Sequence, residues 1–284
     1  MSALCQKRTY AQQQKQALYS ITSSAHYRGK ITRLLHDLHC PRKEDEGISI
    51  DEQRPHPMRR KNLRKVRTLG AKRNSFTPVA TIFSTPQMLV VTPSLPVDSM
   101  AQLASYAIAN PGKVSFASPG FGTQPHLLGE MFRLATGANI VHVPYKGAQQ
   151  PVTDLIAGQV QMFFDTVALF LPHIQAGKIK PLAIADDMRS DQLPAVPTTA
   201  ESGFPTLQAT FWASIVAPTG TPGNIVDKLN VSINEILRSP ELEASLAKFN
   251  AKPKIGSPQD FAKFWRAETE KWTNVITSAG IRAD

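Results

Sequence analysis

Residues 114–185 alternate short apolar runs with helical patterns, without a break. The runs fall at 114–117, 140–143, 160–164 and 179–185. Between them lie a helical stretch carrying Leu127, Leu128, Met131, Leu134 and Ala135 at i, i+3, i+4 and i+7 spacing, a short helix over 150–157 and a helix over 167–176. Gly137, Gly158 and Gly177 stand where each helix should stop, and glycine takes the left-handed backbone that closes a helix at little cost. This rhythm of strand, helix and strand predicts an open α/β sheet of parallel strands with helices on both faces.

The first turn of that unit carries the chemistry. Ser118-Pro119-Gly120-Phe121-Gly122-Thr123 joins the run at 114–117 to the helix that follows. Gly120 and Gly122 let a ligand approach the backbone, and Thr123 is placed to cap the helix. A helix start presents free N–H groups and the positive end of the dipole, so the turn reads as a seat for an anion, most simply a carboxylate. A plain βα turn with glycines for close packing has the same text.

Composition separates the chain into two parts. The net charge is +10, yet residues 1–75 carry 17 Lys and Arg against 6 Asp and Glu, while residues 76–284 carry 15 against 16. The basic character belongs to a leader with a glutamine cluster (Gln12, Gln13, Gln14, Gln16), a charge run from Arg59 to Arg73 and room for a weak helix over 12–27. That leader reads as a disordered extension or as text foreign to the fold; an arm for nucleic acid or acidic lipid is the functional alternative. A neutral body argues against a nucleic-acid-binding fold. Cys5 and Cys40 form neither a disulfide framework nor a zinc site. No apolar run reaches the ~18 residues of a membrane span, and the amino terminus lacks the apolar core of a secretory signal.

Outside the alternating unit, strands are expected at 79–83 and 88–92, separated by Ser84-Thr85-Pro86. Ser99-Met100-Ala101-Gln102 fits a capping box opening a helix to Ala109. A strand at 211–217 should return the chain to the first two. Pro222 and Pro240 are expected at the first positions of two further helices, and Ser257 opens a last helix striped with Phe261, Phe264, Trp265, Trp272, Val275 and Ile276. His126, His142 and His173 lack metal-site spacing, and no cofactor motif is present. The text around Ser118 is not a nucleophile elbow, so a small α/β hydrolase needs a nucleophile–base pair that the sequence does not display.

Read in series, FASPGFGTQPHLLGEMF, IVHVPYKGAQQPVTDLIAGQVQMFFD, LPHIQAGKIKPLAIA, LPAVPTTAESGFP and APTGTP resemble the substrate-binding proteins of tripartite tricarboxylate transporters, the Bug-type solute receptors. The resemblance runs over residues 76–284. It implies an α/β, two-lobed, type II periplasmic-binding-protein-like fold with its first lobe incomplete. Residues 76–110 and 212–284 would be the remnant of that lobe, and 111–211 the second lobe. It further implies a monomeric, non-enzymatic, periplasmic receptor that needs no cofactor, takes a small carboxylate between its lobes and passes it to membrane transporter subunits. The family's second binding loop matches Ser118, Gly120, Gly122 and Thr123, with His126 in the helix behind it. Tyr145, Lys146 and Gly147 match a segment beside the cleft, and Asp165 matches a residue that selects ligands bearing an amino or hydroxyl group. The family's first binding loop has no counterpart in residues 1–75, which suggests a truncated or frame-disrupted reading frame and weak binding by a one-sided clamp.

Overall fold

A computed structural model describes residues 76–281; the expectations for the leader, its cysteines and its weak helix lie outside the described residues. One strand organises the rest. β1, Phe76–Val91, is 16 residues long and pairs with four other strands. Its first part runs antiparallel to β6 (Thr210–Pro218), from Phe76 opposite Pro218 to Pro86 opposite Thr210, and touches the short β7 (Lys252–Pro253) at Phe83 and Ser84. Its second part, Gln87–Val91, lies antiparallel between β4 (Met162–Thr166) and β5 (Lys180–Ile184).

The sequence reads β1 as two strands because Ser84-Thr85-Pro86 has the composition of a break. Pro86 instead falls at the last pair with β6, where the strand changes partners. Register shifts between Pro78 and Ala80, and between Thr81 and Phe83, bend the strand along the way.

The alternating unit gives parallel strands as expected, and β1, from outside it, inserts antiparallel between β4 and β5. β2 (Ser115–Ser118) pairs in parallel with β3 (Val141–Pro144) and with β4, giving the order β3-β2-β4-β1-β5. β1 is the antiparallel member. Helices cover both faces. On one face α1 (Met100–Ala109), α2 (Gln124–Thr136) and the end of α7 (Pro258–Ser278) contribute Met100, Leu103, Leu128, Phe132, Trp272 and Ile276 to a core with Leu89, Phe116 and Phe164. On the other, α3 (Gln149–Ile156) and α4 (Val167–Gln175) contribute Val152, Leu155, Val167 and Phe170 against Met88, Val90 and Phe163. A third cluster joins the first part of β1 and β6 to α5 (Gly223–Leu237) and α6 (Pro240–Ala247) through Val79, Phe83, Ala213, Val226, Ile233, Leu237 and Leu246. α1 and the second part of β1 share a core with residues of 111–211.

The helix starts refine the expectations. Ser99 accepts from the Gln102 N–H, but the Gln102 side chain returns to the amide of Asp98, one residue before the cap. Pro222 caps α5 from outside the helix, whereas Pro240 is the first residue of α6. Ser257 and Asp260 form a reciprocal capping box on α7. Glu268 of α7 then ties the helix down: one carboxylate oxygen accepts from the indole N–H groups of Trp212 (3.3 Å) and Trp272 (2.9 Å), the other from Lys271 (2.7 Å).

Candidate functional site

Parallel pairing brings the carboxyl ends of β2, β3 and β4 to one edge, where ligand crevices form in open α/β sheets. Ser118 ends β2, Tyr145 follows β3, and Asp165 is next to last in β4. The loop leaving β2 leads directly into α2.

Aromatic stacking holds that loop. Phe116 lies under His142 (centroids 4.8 Å apart), and His142 stacks on His126 at 3.9 Å. Phe121 closes the group edge-on, 5.6 Å from His126 and 5.0 Å from His142. Gly129 makes room for it: a Cβ there would sit 2.2 Å from a ring carbon of Phe116. Burial pushes the His126 imidazole down to about 4. Burial first, and the neighbouring His126 second, push His142 to about 3. Both rings are neutral at ordinary pH, so the first accepts a proton bond from the loop: the Gly122 N–H donates to His126 Nδ1 at 3.0 Å.

Most of the residues expected to hold a ligand are hydrogen-bonded to one another. Ser118 Oγ accepts from the Gly120 N–H (3.2 Å), donates to the Gly120 carbonyl (3.0 Å) and lies 2.7 Å from His142 Nε2. Serine has one proton, so when the carbonyl takes it His142 presents Nε2–H to the oxygen. The Thr123 hydroxyl does not cap α2; it donates to the Gly120 carbonyl at 2.7 Å, and the Thr123 N–H points to the same oxygen at 3.3 Å. The amides of Gly120, Gly122 and Thr123 are thus spent inside the loop. Those of Phe121, Gln124 and His126 find no acceptor among the described residues. The loop is open to solvent at its tip, where Phe121 is exposed and Gly120 and Gly122 are half-buried, while His126 is buried. Gly120 has φ 146° and Gly122 φ 69°, backbone that glycine adopts freely.

The flanking segment braces the loop. Tyr145 N–H donates to the Ser118 carbonyl at 2.9 Å, and Gly147 N–H to the Pro119 carbonyl at 3.3 Å. The Tyr145 phenol donates to Asp154 at 2.7 Å; burial and that carboxylate push it up to about 12. Lys146 is exposed. Asp165 lies opposite Met88 of β1. Burial raises its carboxyl to about 6, against the pull of the Thr166 N–H that donates to it at 2.7 Å.

The Ser118–His142 contact has nucleophile–base geometry, which the sequence does not reveal. Ser118 is nonetheless fully buried with its oxygen engaged on three sides, so no substrate carbonyl reaches it. Among the described residues no group of three or more His, Cys, Asp or Glu is arranged to hold a metal ion, and no helix is long and apolar enough to cross a membrane.

Sequence reasoning passed over two residues. Gln124, the first of α2, accepts from Gln87 Nε2 at 3.0 Å and donates to the Thr210 carbonyl at 3.0 Å. This pair of amides ties α2 to β1 and β6 where β1 changes partners.

Residues 52–281 match the model of the tripartite tricarboxylate transporter family receptor, TctC. The chain belongs to the TctC receptor family. The match takes in residues 52–75, which composition assigns to the leader. This TctC chain is 38% identical over 205 residues to the protein BugT of Bordetella pertussis, covering 72% of this chain and 63% of that one. It is 35% identical to the UPF0065 protein in the tcbD-tcbE intergenic region of Pseudomonas sp. strain P51, covering 74% and 62%. It thus spans less than two thirds of these curated relatives. Among solved structures, R. palustris Rpa4515 with adipate superimposes with TM-score 0.67 at 38% identity, covering 76% of this chain and 72% of that one. MatC from Rhodopseudomonas palustris with bound malate gives 0.65 at 27%, covering 74% and 72%. The fold is that of these periplasmic binding proteins.

Proposed function

We propose that this chain is a periplasmic solute receptor that captures a small organic carboxylate for a tripartite tricarboxylate-type transporter. One observation carries the reading: the unfilled amides of Phe121, Gln124 and His126, gathered at the positive end of α2 beside an open glycine turn. Donors fixed by the loop's own hydrogen bonds need no reordering to receive an anion. Ser118, Gly120, Gly122 and Thr123 serve by shaping the loop, and His126 by holding Gly122. Tyr145, Lys146 and Gly147 line its flank, and Asp165 belongs to the other face of the sheet. Family membership supports a binding role without turnover, and relatives solved with adipate and malate support the ligand class.

Among the described residues one loop supplies the donors, so the bound anion stays open to water on its other side. Calorimetry of the 284-residue chain against mono-, di- and tricarboxylates should give weak binding, near the millimolar range that corresponds to about −4 kcal/mol. Micromolar affinity contradicts the one-sided clamp; no binding to any carboxylate contradicts the receptor.

A further inference from the structure

Gln87 is buried to 2% exposure, and its Oε1 is a buried side-chain oxygen without a partner among the described residues. The orientation of its carboxamide follows from its neighbours. Gln124 spends its NH₂ on the Thr210 carbonyl, so it turns its oxygen to Gln87 and receives the Gln87 NH₂. Gln87 Oε1 is therefore left as an acceptor beside the first residue of α2, whose own N–H is also unfilled. On β1, Gln87 lies opposite Thr166, and the next residue lies opposite Asp165. A buried acceptor without a donor costs a protein stability, and a chain keeps one where a bound group completes it.

We propose that Gln87 sets ligand specificity: its Oε1 accepts a hydrogen bond from a hydroxyl or ammonium group carried by the carboxylate ligand. The inference rests on the carboxylate-receptor reading and adds the class of acid. Donors converge at the start of α2, and Gln87 supplies an acceptor on the same face of the sheet, whereas Asp165, opposite Met88, belongs to the other face. A ligand that matches both has a carboxylate at one end and a donor near the other. Hydroxy and amino acids fit; unsubstituted dicarboxylates leave Oε1 unmet.

The test titrates the full 284-residue chain, by amide NMR, with succinate, malate and aspartate, and repeats the series with Gln87→Met and Gln87→Glu. Methionine keeps the length and removes the acceptor; glutamate keeps it. The wild type should prefer malate or aspartate to succinate by about fivefold or more, the size of one hydrogen bond. Gln87→Met should abolish that preference while leaving succinate binding within about twofold, and Gln87→Glu should retain it. Equal weakening of all three ligands by Gln87→Met would make Gln87 structural and overturn the proposal. So would a wild type that binds succinate as well as malate. Failure of the wild type to bind any of the three overturns the receptor reading as well, and is distinguishable because it precedes any substitution.

Discussion

His126 and His142 stack ring on ring, 3.9 Å apart and 18° from parallel, and neither is charged at neutral pH. A proton on either imidazole would face its neighbour without solvent to spread the charge. Their hydrogen bonds to Gly122 and Ser118 then transmit the stack to the glycine turn.

Stability should consequently fall with pH. In the unfolded chain both histidines protonate near 6.5; in the fold they resist until about 4 and about 3. The unfolded state therefore holds more protons below pH 6.5, and the stabilisation present above that value drains as pH falls toward 4. Asp165 acts the other way, because its folded carboxyl protonates near 6 and its unfolded one near 3.8. Two histidines against one buried carboxyl leave a net fall in stability as pH drops from 6 to 4. Thermal unfolding should show Tm dropping over that window, more steeply in Asp165→Asn. A flat or rising Tm there would sink the description of the stack.

Gly129→Ala should destabilise the protein by about 1–3 kcal/mol. The added methyl meets Phe116, the ring beneath His142, at a distance no packing permits. Chemical denaturation measures the loss, and Phe116→Leu in the same chain should recover part of it. A neutral Gly129→Ala contradicts the close packing of β2 on α2.

Thr123→Val tests whether that hydroxyl is structural. It removes the 2.7 Å bond to the Gly120 carbonyl at nearly constant shape. The expected loss is about 0.5–1.5 kcal/mol, with Thr123→Ser close to wild type. Denaturant midpoints for the two variants decide the matter; equal midpoints would mean the bond contributes nothing.

Glu268→Leu leaves the Trp272 indole N–H without its acceptor and removes one acceptor from Trp212 and the partner of Lys271, and a cost of about 1–3 kcal/mol follows. Tryptophan fluorescence during urea unfolding reads it directly, since Trp212 and Trp272 are both buried. Wild-type stability in that variant would contradict the clamp on α7.

The elements were legible in the sequence because local signals agreed with one another. The glycine at 137 does close α2, and Ser257 with Asp260 does open α7. β1 was misread because Pro86 speaks for a break locally, while the change of strand partners that accommodates it is a tertiary fact. The glycine turn was legible as a loop between strand and helix; only the fold shows that the amides of Gly120, Gly122 and Thr123 bond inward. Gly129 gave a usable signal, a glycine inside a helix that asks for a packing reason. Gln87 gave none, since its partner lies 37 residues away.

The account's central claim is that an organic acid docks on three backbone amides. Amide NMR of the chain titrated with a carboxylate tests it most directly. The Phe121, Gln124 and His126 resonances should move together and saturate with one dissociation constant, while Gly122, already bonded to His126, moves less. A carboxylate that binds and leaves those three resonances in place would contradict the account.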